Sequence, residues 1–382
     1  MLRISAAGAL YVSQWIAAMN AALGHFSIYL ASITTVGILT LLVGKAAPII
    51  IARETAKKRN ISDITACVLK RTFYSSAIGA LFSVSFFLIG NRIYGYVIAS
   101  SILFFIGSIL VEITSAVLRG AGYFNRQLIN LLLASLIALA AMFFLGKEIQ
   151  AHQIITIFGI SNVLAAILNY IYMRHVPTYS DQSISSDSSG LFFTSLLTHL
   201  FFSIDKIIAP LLLPVGASEL YAKVVVLVGR PIQIIGQTAE QYLVTLFSKN
   251  RNSKLIRVLM KLSLFLFGVS IFGAIVGTFS PIYFSDRYSE IIPIVAFVFS
   301  AYILWPIYSM LGARIWSLGK STYPRIYVNY FSLIGGIILL TGVTMAAYFE
   351  SVYILALTMM MIHIVRAALV FYLNKRLGLA VG

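Results

Sequence analysis

Seven charged residues stand inside long apolar stretches of this 382-residue chain: Lys45, Lys206, Lys223 and Arg230, and the acids Glu112, Asp205 and Glu240. A charge in apolar sequence is costly, and it persists mainly where it faces a cavity or a partner. The cations suit an anionic ligand, Arg230 above all, because a guanidinium offers a planar, bidentate donor fork. The acids suit proton or cation handling, since a desolvated carboxyl holds its proton more tightly.

Spacing sorts these groups. At about 100° per helical residue, Lys223, Arg230, Gln237 and Gln241 fall within about 40° of one line, with Gln233 and Glu240 at its flanks. Pro231 follows Arg230 directly and loosens the helix there, freeing backbone groups to meet solvent or ligand. Lys45 lies close to one line with Ser27 and Thr34. These residues are the candidate binding set: Lys45, Lys223, Arg230, Gln237 and Gln241. Asp205 and Glu240 are the candidates for ion coupling.

Each has a plainer alternative. Arg230 or Lys223 can pair with Glu240 or Asp205 simply to hold helices together, and Lys45 can snorkel to an interface. Asp205 and Lys206 are sequence neighbours and point about 100° apart, so they are not expected to line one narrow face. Glu112 reads as a packing residue. His363 and Arg366, one turn apart, read as an interface anchor. The 26 Phe and 21 Tyr read as chiefly lipid-facing, with no ligand stacking assigned to any one of them.

The elements that must position these groups are transmembrane helices. The chain is 60% hydrophobic and only 10% charged, far from the balance of a water-soluble domain. About 20 apolar residues cross a bilayer. Twelve stretches qualify: 4–23, 26–52, 64–90, 94–118, 127–146, 152–173, 190–212, 218–247, 256–283, 291–313, 327–348 and 351–373. The expectation is an all-α integral membrane protein with the bilayer as its partner.

A net charge of +16 could suggest nucleic acid, but the basic residues are dispersed over loops between apolar runs and are read as topology. The single Cys67 excludes an intrachain disulfide and offers no metal-ligand cluster. No nucleotide-binding or nucleophile motif occurs in a suitable context, so no cofactor and no enzyme activity are expected.

Arg53, Lys57, Lys58, Arg59, Lys70 and Arg71 surround the second connection, and Lys249, Arg251, Lys254, Arg257 and Lys261 the eighth. Short loops of this kind stay cytoplasmic, which puts both termini on the cytoplasmic side. The opposite connections carry Glu148, Glu219, Asp286, Glu290 and Glu350.

One stretch, RHVPTYSDQSISSDSSG at 174–190, has the composition of a soluble linker. It divides the chain into a six-helix lobe at 1–176, a cytoplasmic linker at 177–189 and a second six-helix lobe at 190–382. A shift of 192 residues lays 23–60 on 215–252 without a gap. It matches Gly24 with Gly216, Tyr29 with Tyr221, Gly44 with Gly236, Lys57 with Lys249 and Arg59 with Arg251. Six spans per half make the repeats parallel, a known transporter design with its site between halves near mid-bilayer.

On LGHFSIYLASI at 23–33, VLRGAGYFNR at 117–126, FFSIDKII at 201–208, VGASELYAKVVVL at 215–227 and IWSLGKSTYPRIY at 315–327, the chain resembles the multidrug/oligosaccharidyl-lipid/polysaccharide exporter superfamily. It is most similar to the bacterial polysaccharide-flippase branch. The resemblance implies a 6+6 helix fold around a central V-shaped cavity. It also implies alternating access that moves an undecaprenyl-pyrophosphate-linked oligosaccharide from the cytoplasmic to the outer leaflet of the inner membrane. That step serves O-antigen (lipopolysaccharide), capsule or exopolysaccharide synthesis, with an H+ or Na+ counter-ion, glycosyltransferases and a polysaccharide polymerase as associated partners. An acidic residue at the Asp205 position recurs in that branch. Related lipid II flippases carry arginines in the first helix, whereas this one has only Gln14 and Asn20 beyond Arg3. The alternatives are a cation-coupled multidrug antiporter of the same superfamily and a polytopic polysaccharide polymerase or acyltransferase. Four buried cations against three acids favour an anionic cargo over a cationic drug.

Overall fold

The computed structural model describes residues 2–44, 47–56, 60–176, 189–230, 232–233, 286–317 and 322–376. These residues are helical throughout, apart from short connections, with no strand among them. The chain divides into two compact units, Met1–Leu196 and Leu197–Gly382. Residues 177–188 of the expected linker and the whole expected span 256–283 lie outside the described residues.

The first unit contains α1 (Leu2–Asn20), α2 (His25–Gly44), α3 (Ala47–Ala56), α4 (Ser62–Leu88), α5 (Arg92–Gly120), α6 (Phe124–Leu145) and α7 (Ala151–Met173). Glycines set its tight connections. Gly24, Gly90, Gly122 and Gly146 all adopt φ between 74° and 87°, which a side chain disfavours. The α5–α6 turn shows the mechanism: Tyr123 N–H donates to the Leu118 carbonyl at 2.8 Å and Gly122 N–H to that of Arg119 at 3.2 Å, closing the helix end. An isolated bridge between Ala21 and Ile149 ties the α1–α2 turn to the α6–α7 turn. Both turns therefore lie at one end of the unit, as strict alternation of spans requires.

α5 is the axis of this unit and packs against α2, α3, α4, α6 and α7. Lipid tails give helices little hydrophobic reason to associate, so close approach and interhelical hydrogen bonds hold the bundle. A Cβ added at Gly107 on α5 would come within 2.9 Å of the Gly159 carbonyl oxygen on α7, so the two backbones nearly touch. Asn130 donates to Asn169 at 2.9 Å, and Asn169 donates to Ser115 at 3.0 Å and Thr114 at 3.3 Å, joining α5, α6 and α7 in one buried network.

The second unit holds most of α8 (Ser189–Leu212), α9 (Val215–Val224), α10 (Asp286–Ser317), α11 (Thr322–Tyr348) and α12 (Val352–Arg376). Val225–Gly229 continues α9 as a π-helical turn. α12 packs against α10 and α11, and the π turn packs on α10.

Six helical segments among the described residues are long and apolar enough to cross a membrane: His25–Gly44, Arg92–Gly120, Phe124–Leu145, Ala151–Met173, Asn329–Tyr348 and Val352–Leu373. Their outward side chains are large and apolar, among them Ile137, Phe143, Phe144, Ile160 and Leu340. A water-facing surface would not carry so many. The protein is a multi-pass membrane protein.

Three acids expected in connections are helical instead. Pro214 caps α9, which begins at Val215, so Glu219 enters its second turn and is buried. Proline pre-sets φ for a helix start. Asp286 and Glu290 likewise belong to α10.

Candidate functional site

The charged residues of α8, α9 and the π turn come together in the second unit. Asp205 is only 1% exposed. Its Oδ2 accepts a 2.7 Å hydrogen bond from the Tyr221 hydroxyl, and its Oδ1 lies 3.3 Å from Lys206 Nζ. The neighbours therefore do meet: Lys206 carries four methylenes and folds back across the 100° between them. Lys206 also hydrogen-bonds the Tyr302 hydroxyl of α10.

Of the sequence-derived binding set, Lys223 and Arg230 are described; Lys45, Gln237 and Gln241, and the coupling candidate Glu240, lie outside the described residues. Lys223 pairs with Glu219 at 3.3 Å, one turn earlier on α9. The acid that neutralises it is thus neither Asp205 nor Glu240 but one the sequence reading left in a loop. Arg230, half-buried, donates from Nη1 to Gln233 Oε1 at 2.9 Å, a neutral partner. Its charge also reaches Tyr302.

The backbone around Arg230 is arranged to make this contact close. A π turn inserts an extra residue into the helix and is often found where function bends a helix. Gly229 ends it, and a Cβ there would stand 2.6 Å from the Tyr302 ring. Only a glycine lets the π turn lie against this tyrosine.

Sequence reasoning missed the wall behind these charges. Tyr302, Trp305 and Tyr308 repeat every three residues along α10 and are all buried, so they are not lipid-facing. His363 is 1% exposed, with its Nδ1 3.1 Å from the Tyr308 hydroxyl. The Arg366 guanidinium lies 3.9 Å from the Tyr308 ring centroid and 5.8 Å from that of Trp305, a cation–π arrangement. His363 is an interior residue, and the partly buried Arg366 packs on the α10 aromatics. The spacing 302, 305, 308 and the pair 363, 366 was the available signal, since each places its members on one helix face.

This half of the molecule thus gathers Lys206, Arg230 and Arg366 around an aromatic face, with Asp205 as the carboxylate among them. Such a cluster can hold an anion: cations supply charge-assisted donors, and tyrosine hydroxyls add neutral ones. Among the described residues no group of three His, Cys, Asp or Glu is placed to hold a metal ion.

No family model matches the sequence, and no curated protein matches it. Solved structures do. A multidrug resistance MATE family transporter of the MOP superfamily, in its inward-facing conformation, matches with a TM-score of 0.58 at 14% identity, over 99% of this chain and 95% of that one. The outward-facing conformation of such a transporter matches with a TM-score of 0.56 at 14% identity, over 100% and 96%. The lipid II flippase MurJ, inward closed, matches with a TM-score of 0.63 at 14% identity, over 98% and 87%. The chain has the fold of the MATE transporters and of the flippase MurJ.

Proposed function

We propose that this chain is a flippase for an undecaprenyl-pyrophosphate-linked oligosaccharide, working by alternating access in the bacterial inner membrane with both termini cytoplasmic. It stands between the glycosyltransferases that build the lipid-linked unit and the polymerase that consumes it. The fold it shares with MurJ and the MATE transporters supports a transporter that handles membrane-borne cargo. The observation that carries the anionic cargo is Arg230: a half-buried guanidinium on an apolar helix whose described hydrogen-bond partner is the neutral Gln233. A pyrophosphate offers the charge that Gln233 does not.

The antiporter reading needs an acidic pocket for a drug cation. The carboxylate at this cluster, Asp205, is already paired with Lys206, and Arg366 covers the Tyr308 ring face. Coupling to H+ or Na+ through Asp205 requires breaking its contact with Lys206, which makes the pair the coupling element.

Arg230→Ala, alone and with Lys45→Ala, tests the assignment. Each variant is expected to insert normally and to lose surface polysaccharide. Normal surface polysaccharide in the double variant sinks the flippase reading.

A further inference from the structure

The first unit holds a cavity of about 370 Å3, with Thr40 of α2, Glu112, Ser115 and Arg119 of α5, and Gln127 of α6 among its lining residues. Glu112 and Arg119 are seven residues apart, about 10.5 Å along the helix axis and on the same face. They attract each other across that distance but form no ion pair. Arg119 spends one donor, Nε, on the Ser115 carbonyl at 3.3 Å. Glu112 is exposed and makes no hydrogen bond among the described residues. Gln127 is 6% exposed, and its Oε1 has no hydrogen-bond partner there.

A buried acceptor left unmade is expensive, so an orphaned amide oxygen on a cavity wall marks a place for a donor. The cavity as a whole asks for both kinds of partner: donors for Glu112 and Gln127, acceptors for Arg119. Its charges cancel. A pyrophosphate would meet the Glu112 carboxylate, and a drug cation would meet Arg119. A neutral molecule rich in hydroxyls satisfies all three groups at once, since each hydroxyl both donates and accepts. Leu41 and Leu131 supply an apolar wall for the carbon face of such a ring. The volume falls within the range of small-molecule sites.

We infer that this cavity is a saccharide subsite, in which Glu112 and Gln127 accept from sugar hydroxyls and Arg119 donates to sugar oxygens. The inference rests on the flippase reading for its source of sugar. Glu112, read from sequence as a packing residue, becomes a binding residue. Ser115 is a positioning residue, because Asn169 donates to its hydroxyl at 3.0 Å while Arg119 leans on its carbonyl.

The test measures binding to the full-length protein in lipid nanodiscs. The probes are bare undecaprenyl pyrophosphate, the same lipid carrying the cell's own oligosaccharide, isolated from cells deleted for this chain, and that oligosaccharide free in solution. The glycosylated lipid should bind at least about tenfold more tightly than the bare lipid, the scale of one or two hydrogen bonds to charged groups. Glu112→Gln and Gln127→Leu should each cut that increment to under about threefold and leave the bare lipid's affinity alone. Arg230→Ala should weaken both lipids by the same factor. Glu112→Gln is isosteric, so an unchanged melting temperature separates lost recognition from lost folding. Competition by the free oligosaccharide would show that the sugar alone is recognised; competition by the lipid-linked form alone places recognition on the tethered unit, and both support the subsite. An increment that survives in both variants overturns it. Failure of both lipids to bind the unmodified protein overturns the flippase reading instead, and the subsite is then decided by whether the free oligosaccharide binds and loses affinity in the two variants.

Discussion

Two tyrosines related by the 192-residue shift do the same job with different partners. Tyr29 on α2 is 1% exposed and its hydroxyl accepts from Gln14 Nε2 on α1 at 3.3 Å. Tyr221 on α9 is also 1% exposed and its hydroxyl donates to Asp205 on α8 at 2.7 Å. In each half, then, the second helix holds the first by one buried phenol. The first half uses a neutral amide. The second uses a carboxylate, and with it brings Lys206 and Tyr302 into the same contact. The duplication kept the clasp and changed its partner from an amide to a carboxylate, and among the described residues the cationic cluster is built around the carboxylate.

That difference has a size. A buried carboxylate paired with a buried ammonium is marginal as a net contribution, but removing one partner leaves the other uncompensated. Asp205→Ala should therefore cost about 3–5 kcal/mol, measured by reversible unfolding in mixed micelles. Asp205→Ala combined with Lys206→Met should recover most of it, since both charges are then gone. A double variant as unstable as the single one would show that the carboxylate acts through Tyr221 and not through its charge pair.

Tyr221→Phe is the next largest change. It removes one donor from Asp205 without adding or removing a charge, and hydrogen bonds to charged groups contribute about 1.5–3 kcal/mol. Lys206 remains to compensate the carboxylate, so the loss should stay below that of Asp205→Ala in the same unfolding measurement. A loss equal to that of Asp205→Ala would assign the whole contact to the phenol.

How much of this was open to sequence depends on whether the physics is local. Apolar length is local, so the helices could be read from hydropathy, with boundaries shifted by a few residues where Pro214 or a glycine turn decided the end. The alignment of Tyr29 with Tyr221 was local too, because it is a repeat in spacing. The partners were not. Asp205 meets Tyr302 through Lys206 across nearly a hundred residues, and Lys223 pairs with Glu219, an acid assigned from sequence to a connection. The 100° between Asp205 and Lys206 argued against a shared face, whereas packing puts Lys206 between Asp205 and Tyr302. Hydropathy also cannot tell a buried aromatic from a lipid-facing one, since both are apolar. For Tyr302, Trp305 and Tyr308 only the three-residue spacing spoke, and it takes α12 to turn that spacing into an interior wall.

The smallest expected effect is in the other half, and it bears most directly on the comparison. Tyr29→Phe deletes the acceptor of Gln14, leaving a buried amide that can still find carbonyls along its own helix. Interhelical hydrogen bonds between neutral groups in membranes contribute about 0.6 kcal/mol on average, because the unfolded state in lipid also finds partners. Tyr29 keeps its other contacts regardless: its ring stacks on Phe158 at 5.8 Å and lies 5.4 Å from Phe26. The variant should thus lose about 0.6 kcal/mol in mixed-micelle unfolding, well below Tyr221→Phe. Equal losses from the two phenylalanine variants would break the comparison, because the clasp would then be worth the same whatever charge it holds. The unequal losses expected here would mean that the second half commits more of its stability to one contact, and that rupture of Asp205 from Lys206 and Tyr221 is the larger conformational lever.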